Sequence, residues 1–186
     1  MRIISGKWGG RRIHPPSSMP DTRPTTDLAR EGLFNILSNN LDLTGLRALD
    51  LFSGTGCISY EMASRGVPDI TIVEKDPAMI GFITRTFTAL GGTPPRVHKQ
   101  DVFSYLANGK EKFDLVIADP PYALREMNDL PGLILDGGLL NEGGWFVLEH
   151  TTRNDFTGHP LFRIERKYGT TRFSIFVNRP KTALQT

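Results

Sequence analysis

The residues best equipped for chemistry in this sequence are Asp119-Pro120-Pro121-Tyr122, which follow the short apolar run Phe113-Asp114-Leu115-Val116-Ile117-Ala118. The run reads as a buried strand. Two successive prolines lack amide protons and cannot extend it, so the chain must turn at its carboxyl end. In α/β sheets that end is where ligands bind. A carboxylate and a ring held there suit one difficult reaction. The exocyclic amine of a nucleobase is a poor nucleophile because its lone pair is delocalised into the ring. Attack on an activated methyl needs acceptors that hold the N–H bonds while the nitrogen becomes tetrahedral, about 3 Å from the methyl carbon and in line with the leaving group. The Asp119 carboxylate and the Pro120 carbonyl can be those acceptors, and Tyr122 offers a face for a stacked base.

Upstream, Asp50-Leu51-Phe52-Ser53-Gly54-Thr55-Gly56 reads as a strand end and a glycine turn leading into a helix. Such a turn lets backbone amides approach a ligand closely. A dinucleotide site would use the same turn, although the third glycine of that fingerprint is absent, position 59 being Ser59. Glu74 ends the next strand and is placed to accept hydrogen bonds from ribose hydroxyls, a need shared by nicotinamide and S-adenosylmethionine sites. Asp101 ends the third strand, where it could accept from an adenine amino group. Both acids could instead cap the helices that follow them. The fourth-strand tetrapeptide separates these readings, because it resembles the [DNS]PP[YFW] motif of amino-methylating methyltransferases.

The elements that must position these residues follow from the hydrophobic pattern. Thr25-Thr26 caps a helix expected to reach Asn39, with Asp27 in its first turn and Ala29, Leu33, Ile36 and Leu37 on one face. Arg30 lies off that face and could point, with Arg23, towards a ligand. From Arg47 onward, strands and helices alternate, as in a parallel sheet covered on both sides. Strands are expected at 48–52, 70–74, 96–100, 113–118 and 145–149. The period then changes: Leu161 to Tyr168 and Thr171 to Val177, joined by Gly169-Thr170, read as an antiparallel hairpin with no intervening helix. The expected fold class is α/β: the Rossmann-like class I methyltransferase fold, a seven-stranded, mainly parallel sheet ending in an antiparallel hairpin. Residues 1–24 are expected to form a small basic β-hairpin extension and a proline-rich linker, and residues 25–186 the methyltransferase domain. Trp8 at the hairpin tip could stack on a base or cover the hairpin's own apolar side.

The 186 residues carry a net charge of only +2, but the charge is unevenly spread. Arg2, Lys7, Arg11, Arg12, Arg23 and Arg30 face only Asp21 and Asp27 within the first 30 residues, and Arg163, Arg166, Lys167, Arg172, Arg179 and Lys181 face Glu165 near the other end. Basic ends around a near-neutral middle suit a polyanionic partner. No apolar run approaches the ~20 residues of a membrane span, and Met1-Arg2-Ile3-Ile4-Ser5 lacks a signal-peptide pattern, which makes the cytoplasm the expected location. The one cysteine, Cys57, excludes internal disulfides, and its position after the glycine turn does not suit the nucleophile of a C5-methylating enzyme. His14, His98, His150 and His159 lack ligand spacing, so no metal is expected.

The resemblance extends over nearly the whole chain. Arg2-Ile3-Ile4-Ser5-Gly6, Gly10-Arg11, Arg23-Pro24-Thr25-Thr26-Asp27 with Arg30-Glu31, Leu33-Phe34-Asn35-Ile36-Leu37, the glycine turn and Lys167-Tyr168-Gly169-Thr170-Thr171 together resemble the RsmD family. Its members are bacterial small-subunit ribosomal RNA guanine-N2 methyltransferases. The resemblance implies methyl transfer from S-adenosylmethionine to the 2-amino group of one guanine in 16S rRNA, in a partly or fully assembled small-subunit particle; outside its substrate the protein is expected to be a monomer. It further implies that Asp50, Gly54, Gly56, Glu74 and Asp101 hold the cofactor, and Phe52, Lys75 and Val102, their chain neighbours, are expected to do so as well. Asp119, Pro120 and Tyr122 would then hold the target base; the charge pattern makes Arg2, Lys7, Arg11, Arg12, Arg23 and Arg30, with Trp8 at the hairpin tip, the expected RNA contacts. Open beside it are amino-methylation of adenine or cytosine in another nucleic acid, a nicotinamide-dependent oxidoreductase, and a non-catalytic RNA-binding protein that keeps a methyltransferase shell.

Overall fold

Apolar runs buried on both faces and punctuated by amphipathic helices have few ways to pack, and this chain adopts the doubly wound one. The computed structural model describes residues 1–16 and 25–179. Along the chain lie α1 (Asp27–Asn40), β1 (Arg47–Leu51), α2 (Cys57–Ser64), β2 (Asp69–Glu74), α3 (Pro77–Ala89), β3 (Arg96–Lys99) and α4 (Val102–Asn108). β4 (Phe113–Ala118), α5 (Leu130–Leu135), β5 (Leu140–His150), β6 (Phe162–Tyr168) and β7 (Thr171–Val177) complete it. The strands form one seven-stranded sheet in the order β3-β2-β1-β4-β5-β7-β6. β1 to β5 are mutually parallel, and β7 runs antiparallel to both of its neighbours. One core layer joins α1, α2 and α3 to the sheet through Leu33, Phe34, Met62 and Ile83. The other joins α4 and α5 through Tyr105, Leu130 and Ile134.

The expected elements are present, with shifts that have local causes. β1 stops at Leu51 because Phe52 turns into the left-handed region at φ 60°. β5 begins at Leu140 rather than Trp145: Leu140 pairs with Phe113, and the Gly143-Gly144 pair is absorbed in a bulge before Trp145 pairs with Leu115. The short helix α5 is not among the expected elements; its Leu130, Pro131, Ile134 and Leu135 are buried. The linker residues 17–24, with Arg23, and the tail from Pro180, with Lys181, lie outside the described residues. Among the described residues, no helix is long and apolar enough to cross a membrane.

The α1 face is rotated from the expected one. Thr26 caps the helix, its hydroxyl accepting from the Ala29 amide at 3.2 Å. The buried side chains are Ala29, Arg30, Leu33, Phe34 and Leu37, while Ile36 is only partly covered. The rotation follows from the first residues of the chain, which pack along α1 and α2 and enclose Arg30. Its guanidinium donates to the Thr25 and Arg2 carbonyls and pairs with Asp27 at 2.7 Å. Arg30 is thus a structural anchor, not a ligand-facing cation.

Residues 1–13 form a looser hairpin than expected, with one antiparallel bridge, Arg2 to Arg12, in place of two strands. Buried Glu61 holds it to α2 by accepting from the Ile4 and Ser5 amides at 2.7 and 3.1 Å, and it also pairs with Arg65 at 2.8 Å. Ser64 receives the Trp8 amide at 3.0 Å. Trp8 therefore lies in the core, edge-on to Phe87 with ring centroids 5.9 Å apart, and is not available to stack on a base. Glu61→Ala would take from Arg65 the carboxylate it pairs with at 2.8 Å and leave the Ile4 and Ser5 amides without their acceptor, while Arg30 keeps Asp27. Its expected cost is about 3–5 kcal/mol, readable as a lowered urea midpoint with faster hydrogen exchange at Ile3 and Ile13.

Candidate active site

β1 is paired on one side with β2 and on the other with β4, and the chain leaves β1 and β4 towards opposite faces of the sheet. A crevice opens where the connections diverge. Beyond the strand ends it widens into a cavity of about 540 Å³, lined by the glycine turn, the ends of β2 and β3 and the Asp119–Tyr122 turn. Four sequence-distant stretches meet here for one reason. Each follows a strand whose carboxyl end points the same way.

The glycine turn is held in a specific shape. Glu74 accepts the Gly54 amide at 2.9 Å with one carboxylate oxygen, and the Lys75 and Asp76 amides at 2.8 and 2.9 Å with the other. It therefore lines the cavity and also ties two strand ends together, while the capping role at α3 belongs to Asp76. Asp101 caps α4 through the Phe103 amide at 2.9 Å and also lines the cavity. Phe52, Gly54, Lys75 and Val102 also line the cavity. Gly54 and Gly56 both adopt positive φ, but for different ends. A Cβ at Gly54 would meet nothing closer than 3.8 Å, whereas one at Gly56 would sit 2.8 Å from the Ile83 side chain. Gly56 is thus required for helix packing and is not part of the cavity wall.

Asp50 also departs from the expected direct role. It is buried beneath the turn, outside the lining, and accepts the Ser59 hydroxyl. The missing third glycine is thus replaced by a partner for this acid. Burial pushes the Asp50 carboxyl up to about 7, the Ser59 hydrogen bond opposing and the charge on Glu74 adding to the shift. Cys57 borders the cavity, but burial pushes its thiol up to about 12, which removes it as a nucleophile at neutral pH.

At the Asp119 turn the structure adds two partners. Thr25 lies between two carboxyls, its hydroxyl oxygen 3.1 Å from Asp119 Oδ2 and 2.6 Å from Glu149 Oε2. The Tyr122 hydroxyl donates to Glu149 Oε1 at 2.8 Å and lies 3.3 Å from the Thr171 hydroxyl. Burial and then the Glu149 charge push the Asp119 carboxyl well above its usual range, although one edge of the residue opens into the cavity. The Tyr122 phenol is pushed up to about 12, burial being the main cause. Sequence reasoning places Thr25 only in a helix cap and Glu149 only at the end of a strand. The available signals are a threonine doublet where the cap uses one, and a lone acid ending Trp145-Phe146-Val147-Leu148.

The predicted basic residues are not all brought to this rim. The Met1 sulfur lies 4.0 Å from the Thr55 hydroxyl at the cavity edge, and Met1 is bonded to Ile13, so the open end of the hairpin, with Arg2 and Arg12, is near the site. Lys7 sits at the far end of α2, its amide on the Ser64 carbonyl, about 12 Å further along a helix of this length. Arg2 pairs with Asp27 at 2.9 Å, while Arg11 and Arg12 are exposed.

Charge indicates what the cavity accepts. Glu74, Asp76 and Asp101 face it against one ammonium, that of Lys75. Such walls disfavour the pyrophosphate of a dinucleotide and favour a ligand with a cationic centre. Val73, Met79, Val102 and Phe103 add an apolar slot of the kind that holds a purine ring.

Comparison with known proteins agrees. The sequence model of a family described as conserved hypothetical protein 95 matches residues 1–177. Ribosomal RNA small subunit methyltransferase D of Escherichia coli (strain K12) is 32% identical over 154 residues, covering 83% of this chain and 76% of that protein. The chain belongs to the RsmD family. The solved structure of yhhF from Escherichia coli superposes with a TM-score of 0.84 at 27% identity, covering 96% of this chain and 98% of that one. The magnesium protoporphyrin IX methyltransferase of Synechocystis PCC 6803, solved with bound S-adenosylmethionine, shares the fold alone. Its TM-score is 0.63 at 19% identity, over 82% of this chain and 79% of that one. The architecture is thus that of class I methyltransferases, in keeping with the strand pattern and the closing hairpin.

The buried acid under the turn makes stability fall with rising pH. The Asp50 carboxyl has an ordinary value of 3.8 and is pushed up to about 7 in the fold, so the folded chain keeps a proton that the unfolded chain releases. Its contribution is whole below pH 3.8 and is lost as pH rises through about 7, at up to about 1.4 kcal/mol per pH unit. Asp50→Asn is expected to flatten that decline when urea unfolding is followed from about pH 4.5 to about pH 8.

Proposed function

We propose that this chain methylates the exocyclic 2-amino group of one guanine in 16S ribosomal RNA, with S-adenosylmethionine as donor. The observation that carries the reading is the Asp119-Pro120 turn, which fixes two oxygen acceptors in the switch-point crevice beside an acid-walled cavity. S-adenosylmethionine supplies an electrophilic methyl on a sulfonium centre. Glu74 would accept from its ribose hydroxyls and Asp101 from its adenine amino group. Val73, Val102 and Phe103 would flank the ring, and the net negative walls suit the sulfonium charge.

At the other side of the crevice, Asp119 and the Pro120 carbonyl each accept one N–H of the target amine. Holding both bonds turns the nitrogen lone pair out of conjugation and aims it at the cavity. The ring of Tyr122 presents a face for the flipped base, a contact worth about 1–3 kcal/mol, and its hydroxyl bond to Glu149 holds the ring in place. The proton released by the methylated nitrogen passes to Asp119 or to water. The choice of guanine rests on the family resemblance. The same resemblance supports a small-subunit particle as the substrate, and we further propose a monomeric protein acting in the cytoplasm.

Mapping modified guanines by mass spectrometry in 16S rRNA from cells with and without this protein tests the reading. One N2-methylguanine is expected to vanish; an unchanged map would refute the assignment. In the purified protein, Asp119→Ala is expected to lower methyl transfer at least about a hundredfold while calorimetric affinity for S-adenosylmethionine changes little.

The exposed pair Arg11 and Arg12 is the part of the hairpin best placed to meet phosphates near the site. Reversing both charges should weaken RNA association more at about 50 mM than at about 300 mM salt, with a shallower salt slope in filter binding. An equal loss at all salt concentrations would remove phosphate contact from the hairpin.

A further inference from the structure

Glu149 near the end of β5 holds the Tyr122 ring of the clamp and also reaches Asp119 through the Thr25 hydroxyl. We propose that Glu149 is a positioning residue that shares a single proton with Asp119 across the Thr25 hydroxyl, and that movement of this proton to Glu149 when the target amine binds leaves Asp119 as the charged acceptor. The inference rests on the proposed amine-methylating function for its consequence, but its structural content does not.

The geometry sets a count of hydrogens. The Thr25 oxygen lies within hydrogen-bond distance of a carboxyl oxygen on each side, 2.6 Å from Glu149 and 3.1 Å from Asp119, and it carries one hydrogen. Two ionised carboxylates could not both be satisfied by it. If one is protonated, Thr25 donates to one carboxyl and accepts from the other, and both contacts are hydrogen bonds. Donors decide which side holds the proton in the ligand-free site. Glu149 receives the Tyr122 hydroxyl as well as the shorter Thr25 contact, whereas the side chain of Asp119 has Thr25 alone. The charge therefore rests on Glu149, and Asp119 is the neutral acid, its proton donated to the Thr25 oxygen.

Among the described residues, the surroundings supply no other counter-charge. Asp50 on β1 adds a further acid behind Asp119, and Cys57 at the start of α2 is held protonated. Tyr122 on the turn is a neutral donor, and Thr171 on β7 is polar but does not titrate. Arg30 on α1 is engaged by Asp27 and two carbonyls, and its nearest approach to this network is the backbone of Thr25. His150, next along β5, is bonded to Ser174 and packs on Phe156, with Arg172 and Glu165 on that side. Among the described residues no ion pair reaches Asp119 or Glu149. Burial raises both carboxyls above their ordinary range; the Glu149 charge adds to the rise at Asp119, while hydrogen bonds with Thr25, Tyr122 and Asp119 oppose it at Glu149, in agreement with one retained proton.

Arrival of an amine reverses the donor balance. Its N–H bond donates to Asp119, which now prefers to be ionised. The Asp119 proton passes to the Thr25 oxygen while the Thr25 proton passes to Glu149 Oε2, so one O–H bond breaks and one forms at each step and no proton leaves the site. Tyr122 keeps its bond to the other Glu149 oxygen, so the ring stays in place. Asp119 is then a carboxylate that can hold the amine and take its proton after methyl transfer.

Carboxyl 13C shifts of labelled aspartate and glutamate, titrated by NMR in the free protein, test the pairing without any RNA. The wild type is expected to show Asp119 titrating above the normal carboxyl range. In Glu149→Gln, which keeps the shape and an acceptor for Tyr122, that titration should drop by at least about one pH unit. An unchanged titration would overturn the proposal. The acid limb of kcat against pH reads the consequence: because the proton stays in the site, the wild-type limb should lie below the Asp119 titration of the free protein, and a limb that coincides with that titration would mean the proton must leave to solvent and overturns the relay. Thr25→Val should lower kcat about tenfold or more with little change in calorimetric cofactor affinity, and Thr25→Ser should restore it. Equal rates in the valine and serine variants would remove the relay. If the wild type methylates no guanine, the function falls, and the NMR titration still decides the shared proton.

Discussion

The parallel pairing of β1 with β4 on one edge and with β2 on the other is the contact on which the site depends. Because β1 carries neighbours reached by crossovers on opposite faces, no connection covers its carboxyl end. The glycine turn after β1 and the proline turn after β4 are left facing each other, with the Asp119 amide 3.4 Å from the Leu51 carbonyl. Neither turn encloses a ligand site without the other. The same arrangement puts Glu74 one strand away, where its carboxylate closes the glycine turn, and Glu149 one strand away on the other side. Four strand ends thus contribute acids to one crevice, and the chemistry of the site is largely the handling of that negative charge.

Each acid is stabilised differently, according to what surrounds it. Glu74 and Asp101 remain open to the cavity and are satisfied by backbone amides that they also organise. Asp50, with no opening, depends on one serine hydroxyl and on keeping its proton. Glu61, equally buried, is neutralised by Arg65 and by the guanidinium of Arg30, and uses its remaining capacity to hold the first residues of the chain. Asp119 and Glu149 share one hydroxyl between two carboxyls. A buried charge without partners is too costly to persist. The partner found for each acid therefore indicates whether it anchors the chain, shapes a turn or exchanges a proton.

The placement of the N-terminal residues follows from the same constraint. They cross α2 because Glu61 and Ser64 offer acceptors to their amides, not because the hairpin is stable alone. Their direction along the helix takes Trp8 into the core beside Phe87 and carries Lys7 away from the rim, while Arg12 stays near it. A basic stretch continuous in sequence is therefore divided in space, and only its outer end can act together with the site.

What the sequence by itself determined was everything that depends on local periodicity and on turn chemistry. The alternation from Arg47 to Glu149, the capping threonines, the Asp119-Pro120-Pro121-Tyr122 turn and the closing hairpin were all legible, because each is specified within a few neighbouring residues. The tertiary structure alone decided which side chains those elements bring together. Arg30 reads as a surface cation on a helical wheel, and only packing against residues 1–13 makes it interior. Trp8 reads as a hairpin tip until Phe87 is beside it. Thr25 and Glu149 stand 94 and 30 residues from Asp119 along the chain, so no local pattern could relate them. Their meeting is a consequence of strand order, and a sheet's strand order is set by the burial of its faces as a whole.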